Sequence, residues 1–461
     1  MVIQGTFWML LVQSIPFWVM LIMTLINIKI KKKFFCISTL TLTYLTLTML
    51  GSMFMVIRPR TGWPYVRLDA VLFLSVCYII LAIPALLFKD SRENDKMELL
   101  HVSDQTAKKI STGLIIMTVP AAVYAAFIAI PDMIKFFQMG GNRGAFRNQL
   151  TNNICGFSSP SYLLMMFGLT FCLIAIFWVI YCVIFQKIDK KCIILLTLGA
   201  MGQCILGCQS VSRSAFFLHM VYVVICVILL LKFAQQKYKK GLKKYAIVVM
   251  LLFLVPFIVI SATRFKKGLV YSIGSYFATG PYSFSADYAA RVEGNTKPLN
   301  GYLTIGWHQF VFDKIAGTNH YKNAEMYYDN YFYGGDSKKG TSPEIDQIYR
   351  RISGSYSTEF STTFGFWLKD WPLYLVPFFF AVISAIFCLI FYFDRKLLWQ
   401  TYLASIYFYI LLNSTMYWPF PLKRKSVELF LIIVFGIFLY VIQKKETQSN
   451  NAAKTDLIDD L

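Results

Sequence analysis

TRFKKGLVYSIGSYFATGPYSFSADYAAR (263–291) and EIDQIYRRISGSYSTEFSTTFGFWLKD (344–370) open and close a polar, aromatic, charge-mixed segment of roughly a hundred residues. Nearly everything around it is apolar sequence of membrane length, joined by short connections. A connection this long in a compact membrane protein is rarely a mere tether. The expectation is therefore a helix bundle in a bilayer, with the 263–370 segment lying outside it and covering a site at its end.

Composition supports that reading. Only 15% of the residues are charged, against about 25% in soluble domains. The net charge of +21 sits mostly in short loops that flank apolar runs, where it sets topology and meets anionic headgroups. Nucleic acid is not an expected partner; the lipid bilayer is. All of the ten cysteines but Cys155 lie in or at the edge of apolar segments, as small core hydrophobes do.

Apolar runs near the ~20 residues that a bilayer requires fall at 5–28, 34–57, 68–88, 111–130, 161–185, 191–210, 214–232, 244–262, 371–393, 397–417 and 426–443. The predicted fold is thus all-α and polytopic, with about eleven transmembrane helices and one large external loop containing short helices. Its organisation is eight spans over 1–262, with an external loop at 131–160, then the segment 263–370, the last spans over 371–443, and a disordered tail at 444–461. Lysine-rich loops at 29–33, 89–109, 186–191 and 232–244 are assigned to the cytoplasm, which places 131–160 and 263–370 on the far side. Pro419–Lys425 is basic on the far side and departs from the rule.

Arginine is concentrated on that far side. Its planar guanidinium matches phosphate oxygens in pairs and stays ionised when partly buried. Arg213 follows a Gly- and Gln-containing apolar block with barely a turn before the next, so it lies near the hydrocarbon, where a charge usually faces a polar interior. Arg264 stands at the mouth of the bundle, and Arg291, Arg350, Arg351 and Arg143 are further candidates. The same arginines equally suit interfacial anchoring. Ser342 and Pro343 open a short helix that ends at Arg350 and Arg351. His308, Glu359 and Asp370 are candidate proton acceptors for a hydroxyl group, and each could instead be a structural hydrogen bonder. The sequence contains no metal-ligand cluster, phosphate-binding loop or nucleophile elbow, so no metal or other cofactor is expected.

With these residues in view, the chain resembles the oligosaccharide repeat-unit polymerases, the Wzy-type polymerases of O-antigen and capsule. The resemblance rests on the many spans, on SRSAFF (212–217) entering a helix, on the Tyr-x-x-x-Gly-Pro block at Tyr276–Pro281, and on the long loop that closes through a Ser/Thr-rich element on Asp370. It covers the chain from about Thr170 to Tyr440 and is diffuse. The family's Asp-x-Gly reads Asp370-Trp371-Pro372 in this chain. The resemblance implies a fold similar to the GT-C glycosyltransferases and a location in the bacterial inner membrane. It also implies metal-independent transfer between two undecaprenyl-diphosphate-linked oligosaccharides, and a chain-length regulator protein as a partner. Arg213 and Arg264, with Tyr276 nearby in sequence, would then grip substrate. A lipid-linked oligosaccharide flippase or transporter, an O-antigen ligase and a non-enzymatic scaffold are the competing expectations.

Overall fold

The computed structural model describes residues 2–3, 5–57, 66–89, 102–139, 160–185, 187–209, 213–231, most of 245–258, 269–292, 298–324, 362–392, 397–416, 418–420 and 422–459. Among them, regular structure is helical apart from one two-residue antiparallel pairing, Val2 with Arg67 and Ile3 with Val66. Seven of the described helices are long and apolar enough to cross a membrane: Thr6–Lys31, Ile37–Ile57, Leu68–Leu87, Asp104–Gln138, Lys190–Gln209, Leu375–Tyr392 and Lys425–Glu446. The chain is an all-α, multi-pass membrane protein. Shorter apolar helices occupy Cys172–Phe185 and Phe216–Leu231.

The chain forms two compact units, 1–90 with 267–394 and 407–427, and 91–266 with 395–406 and 428–461. In the first, Ile15–Lys31 packs on Ile37–Ile57 and Leu68–Leu87, and Leu375–Tyr392 packs on Leu68–Leu87. Polar side chains join the first two of these helices inside the apolar environment. Thr24 and Thr46 hydroxyls meet at 3.0 Å, and the Asn27 amide donates to Thr39 at 2.7 Å. Such pairs hold membrane helices together where burial of apolar surface gives little net attraction.

The 263–370 segment is not all a covering loop. Leu269–Val292 is one helix that packs against Ile37–Ile57 and Leu68–Leu87 in the core of this unit. Residues 278–285 are buried on every side. Gly280 allows a close approach among them: a Cβ added there would stand 2.0 Å from the Thr415 carbonyl oxygen. Polar residues inside this helix hide it from a hydropathy reading, since Thr279, Ser283, Ser285 and Asp287 are all buried.

In the second unit, Pro160–Leu169, Lys190–Ala200 and Gly202–Gln209 pack on the long Asp104–Gln138 helix. Glycines set these contacts; Gly202 fits between Leu169 and Ala122. Trp178 donates its indole N–H to Ser111 at 2.9 Å, and Gln203 bridges the Leu169 carbonyl and the Glu428 carboxylate at 2.8 and 3.1 Å. Several expected boundaries move. Asp104–Gln138 runs into the 131–160 stretch expected to be an external loop, and passes through Pro120 and Pro131. The 161–185 run is two helices, Pro160–Leu169 and Cys172–Phe185. The tail expected to be disordered continues the final helix to Asp459.

Candidate functional site

Buried ionisable groups of the first unit come together where the Leu269–Val292 helix meets the short helix Thr363–Asp370. Thr362 caps that short helix by accepting the Gly365 amide at 3.1 Å. Its first turn is fixed by Thr363, whose amide donates to the Ser414 carbonyl at 2.9 Å. Its last turn carries Lys369 and Asp370, adjacent residues that are both buried and face different partners.

Lys369 Nζ lies 3.2 Å from the Asp287 carboxylate, with both side chains nearly or wholly removed from solvent. Each charge therefore depends on the other, because an isolated one would be costly in this interior. The Lys369 ammonium also lies 5.5 Å from the centre of the Phe366 ring. Two residues before Asp287, the Ser285 hydroxyl accepts the Arg67 amide at 3.4 Å. Arg67 forms a two-pronged contact with Asp69 at 3.1 and 2.7 Å, and its guanidinium lies over the Tyr288 ring. The buried Arg67 is thus committed to a carboxylate and a ring.

Asp370 is wholly buried and organises the turn at 299–304. One carboxylate oxygen accepts the Leu303 amide at 3.0 Å, and the other accepts the amide and hydroxyl of Thr304, each at 2.6 Å. Backbone bonds from Leu299 to Lys369 and from Asn300 to Asp370 complete the seam. Gly301 sits in the turn with φ +92, a conformation suited to glycine. Burial pushes the Asp370 carboxyl up to about 7, against the pull of the Thr304 hydroxyl and the two amides. Two indoles close over the turn: Trp371 donates to the Thr304 hydroxyl at 3.0 Å and Trp418 to the Thr304 carbonyl at 3.3 Å.

The predicted residues separate into four groups. Asp370 is placed as above, with both oxygens occupied by the protein. His308 is exposed in the Gly306–Ala316 helix, and partial burial pulls its imidazole below the ordinary value. That keeps it a neutral acceptor at pH 7. Arg213 is the first residue of the Arg213–Leu231 helix, Tyr276 lies within Leu269–Val292, and Arg291 is in that helix's last turn, half-buried. Arg143, Arg264, Arg350, Arg351, Glu359 and the Ser342 cap lie outside the described residues.

Sequence reasoning passed over Asp287, Lys369 and Thr304. Asp287 had a signal, a lone acid in a run of small and aromatic residues, but nothing in spacing linked it to a lysine so distant in the chain. Among the described residues no three His, Cys, Asp or Glu side chains are grouped to hold a metal ion. Searches of protein-family profiles, curated proteins and solved structures find no match to this chain.

Proposed function

We propose that this chain is a membrane glycosyltransferase of the repeat-unit polymerase type, acting on undecaprenyl-diphosphate-linked oligosaccharides at the outer face of the bacterial inner membrane. The observation that supports the reading best is the anchoring of the long polar segment. Its two ends, Leu269–Val292 and Thr363–Asp370, join through the buried Asp287–Lys369 pair among membrane-length helices. A saccharide-handling segment fixed in this way would be held rigidly over lipid-borne substrates. In the full reading the fold has about eleven spans and is similar to the GT-C enzymes.

The chemistry follows from the residue types. The bond between the donor sugar and its diphosphate breaks, a bond to the acceptor hydroxyl forms, and the hydroxyl proton passes to a base. Arg213 and Arg264 are proposed to neutralise the diphosphate as its charge develops, with Arg291, Arg350, Arg351, Arg143 and Tyr276 as further substrate contacts. Of the three base candidates, His308 suits the task better than Asp370, because it is exposed and its imidazole is neutral at pH 7. Asp370 serves better as a positioning residue.

Purified protein supplied only with lipid-linked repeat units in detergent tests the reading. Longer lipid-linked chains are expected, and their loss in Arg213→Ala with the protein still inserted. A transporter or a ligase would produce no longer chains under these conditions, and that result would overturn the proposal.

A further inference from the structure

We propose that the Gly306–Ala316 helix is a bilayer-interface anchor that lies along the lipid headgroups and lowers Phe312 and Ile315 toward the acyl chains. His308, Phe312 and Ile315 are spaced four and three residues apart and share one helical face. On that face Phe312 is 62% exposed and Ile315 83% exposed. The opposite side is tied down: Gly306 and Asp313 are buried, and the Asp313 carboxylate accepts the Thr318 hydroxyl at 2.6 Å. The outward direction of the apolar face is therefore fixed by packing.

Its level relative to a bilayer follows from what the helix is attached to. The Trp307 amide donates to the Ser426 hydroxyl at 2.8 Å, and Ser426 belongs to the first turn of the membrane-length helix Lys425–Glu446. Just upstream, Thr304 is held by the indoles of Trp371 and Trp418. Trp371 in turn shortly precedes the membrane-length helix Leu375–Tyr392. The short helix thus leaves the protein where two membrane-length helices end, which is the depth at which tryptophan gathers. Lys314 and Lys322 are exposed beside it, and the Lys314 ammonium lies over the Phe310 ring at 5.7 Å, placing positive charge within reach of lipid phosphates. A short helix with large apolar groups on one side and cations beside them suits that interface.

This inference does not depend on glycosyl transfer, and its test needs no turnover. Full-length protein carrying photoreactive benzoylphenylalanine in place of Phe312, or separately of Ile315, is reconstituted into phosphatidylethanolamine–phosphatidylglycerol vesicles and irradiated. Both positions are exposed, so the probe displaces no core packing. Phospholipid adducts at both positions, identified by mass spectrometry, are expected. Adducts to a second copy of the chain would overturn the proposal in favour of an interface between copies. Absence of any adduct, as for side chains standing in water, would overturn it equally.

Discussion

Asp287 and Lys369, far apart in the chain, meet as an ion pair 3.2 Å apart with almost no solvent contact. The pair joins the helix that begins the long polar segment to the helix that ends it. Replacing a whole buried pair by apolar groups is often neutral, whereas removing one partner strands the other at a cost of about 3–5 kcal/mol. Asp287→Asn or Lys369→Met alone should lower the unfolding midpoint of the detergent-solubilised protein strongly. The double variant should recover much of the loss. Additive losses in that double-mutant cycle would show that the charges do not act on one another.

Asp370 gives a pH signature. Its carboxyl is raised from 3.8 in the ordinary state to about 7 in the fold, by burial first. The folded state therefore binds the proton more tightly than the unfolded chain. Its contribution to stability is full below the ordinary value and is lost as pH rises through the folded one. Thermal midpoints measured across that window should fall with rising pH for the native protein. Asp370→Asn should flatten this dependence, while losing stability at every pH because an amide cannot accept all the donors offered by Leu303 and Thr304. An unchanged slope in the variant would remove Asp370 as its source.

The sequence revealed the apolar frame and hid the polar interior. Ile37–Ile57 and Leu68–Leu87 end within a few residues of their expected bounds because nothing but hydropathy decides them. Leu269–Val292 was illegible as part of the core: Thr279, Ser283, Ser285 and Asp287 read as solvent-facing until their partners on distant segments are known. The expected span 111–130 already contained Pro120; the Asp104–Gln138 helix also runs on through Pro131, just past that expected end, since packing of its buried face outweighs local preference. Asp370 was legible as a candidate by its place just before the next apolar run, although Trp371-Pro372 departs from the Asp-x-Gly of the family it resembles. Its grip on the 299–304 turn was not, because Asn300-Gly301, both at positive φ, marks a turn but not the distant carboxylate that holds it.

Gly280 separates two opposing effects of one methyl group. Alanine in a helix is favoured over glycine by up to about 1 kcal/mol, so Gly280→Ala would stabilise an open helix. Here the added carbon would meet the Thr415 carbonyl oxygen at 2.0 Å, and that atom is backbone. Overpacking of this kind costs about 1–3 kcal/mol, so the clash prevails. The expected result is a lower unfolding midpoint for Gly280→Ala and poorer yield for Gly280→Val. A midpoint equal to or above that of the native protein would show that the Thr415 turn can withdraw.

The second unit offers the same contrast at two glycines that share a helix pair. A Cβ at Gly168 would stand 2.4 Å from the Met117 carbonyl oxygen and 2.6 Å from the Ala121 Cβ, both on the Asp104–Gln138 helix. Gly113, within that long helix, has nothing within 4 Å of the added atom. If close backbone approach holds these helices together, as small residues do in membranes, Gly168→Ala should destabilise by about 1–3 kcal/mol. Gly113→Ala should be neutral or stabilising by up to about 1 kcal/mol. Parallel melting curves of the two variants decide the matter, and a Gly168→Ala curve as stable as that of Gly113→Ala would mean that the two helices do not depend on close approach at this point.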